Sequence, residues 1–193
     1  QAAYDCGQRS FGENYAQELI EKSPQMPEDV RWHFIGHLQS NKAKALVKGV
    51  PGLCVLETLD SIKLARKLNT ALTDAGPDDR TLGVYLQVHT SDEESKYGVK
   101  PENAAELAKS VVSECPRLEL QGLMTIGAPG DPSCFDKLGK CRDEVAEALG
   151  QEPASLVLSM GMSGDFETAI ARGSSSVRVG STIFGARDYP NRA

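Results

Sequence analysis

The sequence predicts an α/β chain folded as a (β/α)8 TIM barrel with its first β-strand missing. Three observations predict it. Short apolar runs alternate with longer stretches of helical period, which is the pattern of βαβ units and a parallel sheet. Seven such runs occur in 193 residues, one unit short of a barrel that usually takes roughly 250 residues. The chain also opens on a helical stretch that no strand precedes. The simplest account is one barrel domain over residues 1–193, truncated at its N-terminus. An open doubly wound sheet is the competing fold. It would usually carry a glycine-rich dinucleotide turn after an early strand, and no G-x-G-x-x-G is present.

The elements follow in order. Residues 1–9 read as the tail of a helix. Residues 10–14 (SFGEN) read as a short strand, and a helix carrying Leu19 and Ile20 follows it. Pro24 and Pro27 mark the next loop. Residues 31–36 (RWHFIG) form a second strand, after which Ser40 is placed to cap a helix through Leu46 and Val47. Residues 53–58 are a third strand. Asp60 or Ser61 then opens a helix whose apolar positions are Ile62, Leu64, Ala65, Leu68 and Leu72. Residues 82–88 are a fourth strand, followed by a polar loop over 91–98. Pro101 suits the first turn of the next helix. Residues 118–126 are a fifth strand, and a helix over 135–149 stops at Gly150. Residues 156–162 are a sixth strand with a helix over 166–171 behind it. Residues 176–179 are the seventh strand, and 181–184 a short helical turn.

Composition limits the function classes. Hydrophobic residues make up 40% and charged residues 25%, enough apolar material for a core of ordinary size. No apolar run is long enough for a membrane helix, and no secretory leader is visible. The first residue is Gln1 rather than Met, which suggests that an upstream segment has been removed. A cytoplasmic setting is expected, with a mitochondrial or plastid one left open. The net charge of -6 gives a field that repels nucleic-acid backbones. Lys42, Lys44 and Lys48, the densest basic run, read as a solvated helix face. The cysteines, Cys6, Cys54, Cys115, Cys134 and Cys141, are odd in number and contain no C-x-x-C pair. None of the three histidines pairs with a cysteine at zinc spacing. They read as reduced, structural thiols, and no metal site is expected.

In such barrels the chemistry sits at the C-terminal ends of the strands, and phosphate commonly binds at the loops after the last two. Here those loops are SMGMSGD (159–165) and RVGST (178–182). Small residues let backbone N–H groups approach a ligand. Ser163 stands where a helix N-cap would stand, and Gly180 and Ser181 precede a helical turn. Two helix starts converging would make a phosphate cup without a lysine; two tight βα turns with capping serines are the plainer reading. Arg178, between Val177 and Val179, should sit in a largely buried strand and so needs an acceptor, either a structural ion pair or a ligand. Asn14 ends the first visible strand and can reach the same mouth. His33 and His37 flank a strand end and read as structural. Lys96 lies in a loop and reads as solvated.

Five segments in this order resemble the pyridoxal 5'-phosphate (PLP) homeostasis family. They are FGENY (11–15), WHFIGHLQSNK (32–42), GLMTI (122–126), LSMGMS (158–163) and VRVGSTIFG (177–185), and the likeness runs from about Gly7 to Tyr189. The resemblance implies a barrel of alanine-racemase type that binds PLP at its mouth. It implies Ser163, Gly180 and Ser181 at the phosphate, Arg178 facing the pyridine nitrogen, Asn14 beside the cofactor and Met162 lining the phosphate loop. Many members carry Thr where this chain has Ser181, and the hydroxyl is kept. The family's Schiff-base lysine lies on a strand that would precede Gln1, so no catalytic residue is assigned within the chain.

An arginine beside the ring nitrogen does not supply a proton and disfavours a pyridinium, which weakens the electron sink that PLP enzymes use. Racemases that tolerate this add an acid/base from a further domain, and the chain ends at Ala193. The expectation is therefore a non-catalytic PLP carrier serving PLP-dependent apoenzymes, monomeric as family members often are. A minimal amino-acid racemase and a degenerate barrel acting as a structural subunit are the alternatives.

Overall fold

The computed structural model describes residues 1–75, 80–91 and 97–185. Its strands are β1 (Ser10–Glu13), β2 (Arg31–Phe34), β3 (Leu53–Leu59), β4 (Leu82–Gln87), β5 (Leu118–Met124), β6 (Val157–Met162) and β7 (Ser176–Arg178). They form one sheet in sequential order, each strand parallel to the next. A doubly wound sheet reverses its strand order at a switch point. Seven consecutive neighbours without a reversal wind in one direction, as a (β/α) barrel does. The sequential order therefore decides between the two folds considered above.

Helices α1 (Ala2–Asp5), α2 (Ala16–Lys22), α3 (Ala43–Gly49), α4 (Ile62–Asp74), α5 (Pro101–Glu114), α6 (Ser133–Leu149), α7 (Phe166–Ala171) and α8 (Ser181–Phe184) alternate with the strands. Their limits have local causes. Ser61 caps α4 by accepting the Leu64 N–H at 3.4 Å. Pro101 opens α5, and Gly150 closes α6 with φ +66°. Ser40 does not cap α3. It starts a single 3-10 turn, Ser40–Lys42, and α3 begins only after Lys42 without a side-chain cap.

Strand alternation divides the side chains between two regions. Trp32, Phe34, Leu56, Val84, Leu86, Leu123, Leu158 and Met160 pack outward into one apolar cluster with residues of α2 to α7. A leucine buried this way contributes about 1.5–3 kcal/mol. Val55, Tyr85 and Met124 form a separate small cluster on the other face. The strand β7 departs from expectation. Ser176, Val177 and Arg178 are all half-buried rather than buried, because β7 ends the strand order and pairs only with β6 among the described residues. The free thiols divide in the same way: Cys115, Cys134 and Cys141 are buried and Cys6 is exposed. No helix among the described residues is long and apolar enough to cross a membrane. No described group of three or more His, Cys, Asp or Glu residues is arranged to hold a metal.

Candidate cofactor site at the strand ends

The inward positions of the strands carry a chain of polar contacts. His33 Nδ1 lies 2.7 Å from Glu57 Oε1. The hydroxyl of Ser159 donates to Glu57 Oε2 at 2.6 Å. Arg178 Nη1 donates to Ser159 Oγ at 2.7 Å, and Nη2 donates to the Thr125 carbonyl at 2.8 Å. Glu57, Thr125 and Ser159 are all buried. An unpaired carboxylate at such a site would cost several kcal/mol, and here both of its oxygens accept. Burial pulls the Arg178 guanidinium below its ordinary pKa, and the negative charges of Glu57 and Asp165 pull it back up. Beside them the Tyr85 phenol is pushed up to about 12, by burial first and then by the charge of Glu57.

The loops after β6 and β7 meet at one end of this chain of contacts. The β6–β7 register sets Met162 beside Arg178. Ser163 Oγ accepts the N–H of Gly180 at 3.0 Å and that of Thr182 at 3.4 Å. Ser163 is thus not the N-cap of α7. That position belongs to Asp165, whose side chain makes no cap but turns back to accept the Met162 N–H at 2.6 Å. The Ser163 hydroxyl is committed across to the other loop instead. Gly161 shapes the turn. Its φ is +96°, and a Cβ there would lie 2.6 Å from the Ala169 side chain and 3.0 Å from the Phe166 backbone. At Gly164 and Gly180 a Cβ would meet nothing within 4 Å, so both loops border open space.

These residues suit a phosphate ester attached to a pyridine ring. Two backbone N–H groups already aim at one oxygen, that of Ser163, with the Ser181 hydroxyl next in sequence. Those amides are taken by Ser163 Oγ, which leaves the Ser163 hydroxyl proton and the Ser181 hydroxyl as the donors a phosphate oxygen brought to this turn would meet. Asp165 turns one of its oxygens to the Met162 N–H. Arg178 supplies a cation that can face a ring nitrogen. The structure therefore brings together Met162, Ser163, Arg178, Gly180 and Ser181. Asn14 is not joined to them by any described hydrogen bond. It follows β1, at the opposite end of the strand order from β7, is exposed, and lines a groove of about 280 Å³ with Ile20, Phe34, His37 and Lys42. Gly36 lets this segment approach β2, since a Cβ there would lie 1.8 Å from the Asn14 carbonyl oxygen.

The two strand-end histidines differ. His33 belongs to the chain of contacts that reaches Arg178. His37 stacks on Tyr97, with ring centroids 3.6 Å apart and planes at 14°, and lies 3.9 Å from Asp60. Lys96 falls outside the described residues. Sequence reasoning passed over Glu57, and it quoted Ser159 and Thr125 without giving them a role. A signal existed for Glu57: it is an acid inside the apolar strand LCVLETL, two residues from Val55 and so on the same face.

Comparison with known proteins is consistent with this geometry. The family model described as alanine racemase, N-terminal domain, matches residues 1–188. The chain is 48% identical over 202 residues to the pyridoxal phosphate homeostasis protein of Bos taurus, covering 98% of this chain and 73% of that one. It is 40% identical over 197 residues to the protein of the same name from Haemophilus influenzae, covering 97% and 79%. Among solved structures, PipY of Synechococcus elongatus with PLP bound superposes with a TM-score of 0.75 at 34% identity, covering 95% of this chain and 85% of PipY. An alanine racemase of Clostridium difficile shares the fold, with a TM-score of 0.71 at 14% identity over 99% of this chain and 50% of its own. On its matched length, its identity to these relatives and its barrel, the chain belongs to the pyridoxal phosphate homeostasis protein family, built on the alanine racemase N-terminal domain.

Proposed function

We propose that this chain binds PLP at the C-terminal mouth of the barrel and serves PLP homeostasis by holding the cofactor and handing it on, without robust catalysis of its own. One observation carries the reading. The Gly180 and Thr182 amides converge on Ser163 Oγ in loops whose strands set Met162 against Arg178, so a phosphate end and a ring end share one mouth. Ser163, Gly180 and Ser181 would hold the phosphate, Arg178 would face the ring nitrogen, Met162 would line the loop and Asn14 would stand beside the cofactor. PLP, when bound, supplies an electron sink for carbanion chemistry. Arg178 remains a cation and gives no proton to the ring, which weakens that sink. Tyr85, whose phenol is pushed up to about 12 by burial first and then by the charge of Glu57, lies too high to exchange protons near neutral pH.

The names of the relatives and the PLP in the PipY structure support this reading over a racemase. The recipients would be PLP-dependent apoenzymes. The carrier would act as a single-domain monomer in the cytoplasm. Equilibrium titration with PLP tests the site. Ser163→Ala combined with Ser181→Ala should weaken retention, each lost charge-assisted hydrogen bond costing about 1.5–3 kcal/mol. Unchanged retention removes the phosphate cup. Incubation with L-alanine or L-serine, followed by chiral analysis, tests the carrier role, which clear racemisation would sink.

A further inference from the structure

Glu57 has no part in the site as proposed, yet His33 and Ser159 both meet it, and Arg178 is joined to it through Ser159. We propose that Glu57 is a positioning residue for Arg178, acting through the Ser159 hydroxyl, and that it fixes the ring end of the cofactor site independently of the phosphate end. The inference rests on the PLP reading above.

The geometry allows only one direction of donation. A guanidinium cannot accept a hydrogen bond and an ionised carboxylate cannot donate one. Ser159 has a single hydroxyl proton, which goes to Glu57 Oε2 at 2.6 Å. Its lone pairs are thereby left for Arg178 Nη1 at 2.7 Å. The Thr125 carbonyl takes Nη2 at 2.8 Å, so the guanidinium plane is fixed at two points, one at the end of β5 and one on β6. On the other side, Glu57 Oε1 lies 2.7 Å from His33 Nδ1. That nitrogen must carry the proton if the carboxylate is ionised, and the contact keeps the carboxylate from rotating. The chain His33, Glu57, Ser159, Arg178 thus spans β2, β3, β6 and β7 across the interior. An amide at position 57 keeps the shape of this chain without its charge. With its NH2 turned to Ser159, the hydroxyl proton loses its acceptor; with its NH2 turned to His33, the ring must take the tautomer that leaves Nδ1 bare, and Ser159 is held by a neutral oxygen in place of a carboxylate. Either way the charge-assisted anchoring of the guanidinium through Ser159 is weakened.

The phosphate cup is built from other atoms. Ser163 Oγ and the Gly180 and Thr182 amides share no hydrogen bond with Glu57, Ser159 or His33. The two ends can therefore be perturbed separately.

The test titrates wild type, Glu57→Gln, Ser159→Ala, Arg178→Met and the Glu57→Gln/Arg178→Met double variant with PLP. It follows the absorption spectrum of bound PLP and uses inorganic phosphate as competitor. Glu57→Gln should weaken PLP binding about tenfold, the loss of one charge-assisted contact. It should also move the absorption maximum of bound PLP toward that of Arg178→Met and leave inhibition by phosphate unchanged. In the Arg178→Met background it should add nothing further. Ser159→Ala should show the same loss of affinity and the same shift of the absorption maximum, and it carries the test if Glu57→Gln does not fold. A wild-type spectrum and affinity in both Glu57→Gln and Ser159→Ala, or effects fully additive to those of Arg178→Met, overturns the proposal alone. Failure of the wild type to bind PLP overturns the site reading and this proposal together.

Discussion

Residues one step apart on the same strands have opposite tasks. Trp32, Leu56 and Leu158 face the helices and belong to the continuous apolar cluster. His33, Glu57 and Ser159 follow them directly and face the interior, where they hold the polar chain that ends on Arg178. The outer region is cohesive and non-directional, and its side chains tolerate small shifts. The polar chain of the inner region is directional, and His33, Glu57, Ser159 and Arg178 each have a specified partner in it. The period of two along a strand thus separates stability from ligand recognition without a second domain.

Mutations at neighbouring positions can break that separation. The largest effect is expected at Glu57→Ala, which leaves Ser159 and His33 without their shared acceptor and removes the negative charge that acts on the Arg178 cation. Chemical denaturation should show a loss of about 3–5 kcal/mol, and PLP binding should fall with it. Next is Leu56→Ala, one residue away and on the outer face. It should cost about 2–5 kcal/mol of stability while PLP affinity, measured where the protein is folded, stays at the wild-type value. If Leu56→Ala lowered affinity as much as Glu57→Ala, the two faces would not be independent. The smallest effect concerns pH. The Tyr85 phenol ionises near 10 in an unfolded chain and at about 12 in the fold. Between those values the native state keeps a proton that the unfolded state has lost. The stability linked to this group is therefore complete below pH 10 and declines as pH rises toward about 12. Tyr85→Phe should flatten that part of an alkaline denaturation curve, and an unchanged curve would mean that another buried group, such as the Cys141 thiol, which burial also pushes to about 12, dominates.

The legible parts of this molecule were those with local causes. The helix start at Asp60 or Ser61, the start at Pro101 and the stop at Gly150 each follow from one or two residues, and the structure keeps the latter two and settles the first on Ser61. The alternation of strands with helices was legible for the same reason, and it pointed to the barrel. The loops 159–165 and 178–182 were recognisable as small-residue turns, and the structure joins them. The manner of joining was not legible. Ser163 looked like a helix cap because its local context is that of a cap, but its oxygen serves amides that lie 17 and 19 residues further along the chain. The contact between Glu57 and Ser159 crosses 102 residues, and no pattern within one window can announce a pair at that distance. The exposure of β7 depended on its place in the sheet, which composition does not encode.

The close approach at Gly161 extends this point to the site itself. With φ +96° and the Ala169 methyl where a side chain would begin, helix α7 rests directly on the end of β6, with only a hydrogen atom between them. Even the smallest enlargement there would act as a spacer and lift the helix. The loop that carries Met162 and Ser163 would swing with it, without any change to the groups that touch a ligand. The aim of the mouth is thus governed by a residue that offers it no chemistry, and a survey of functional groups alone would overlook the position most able to misalign them.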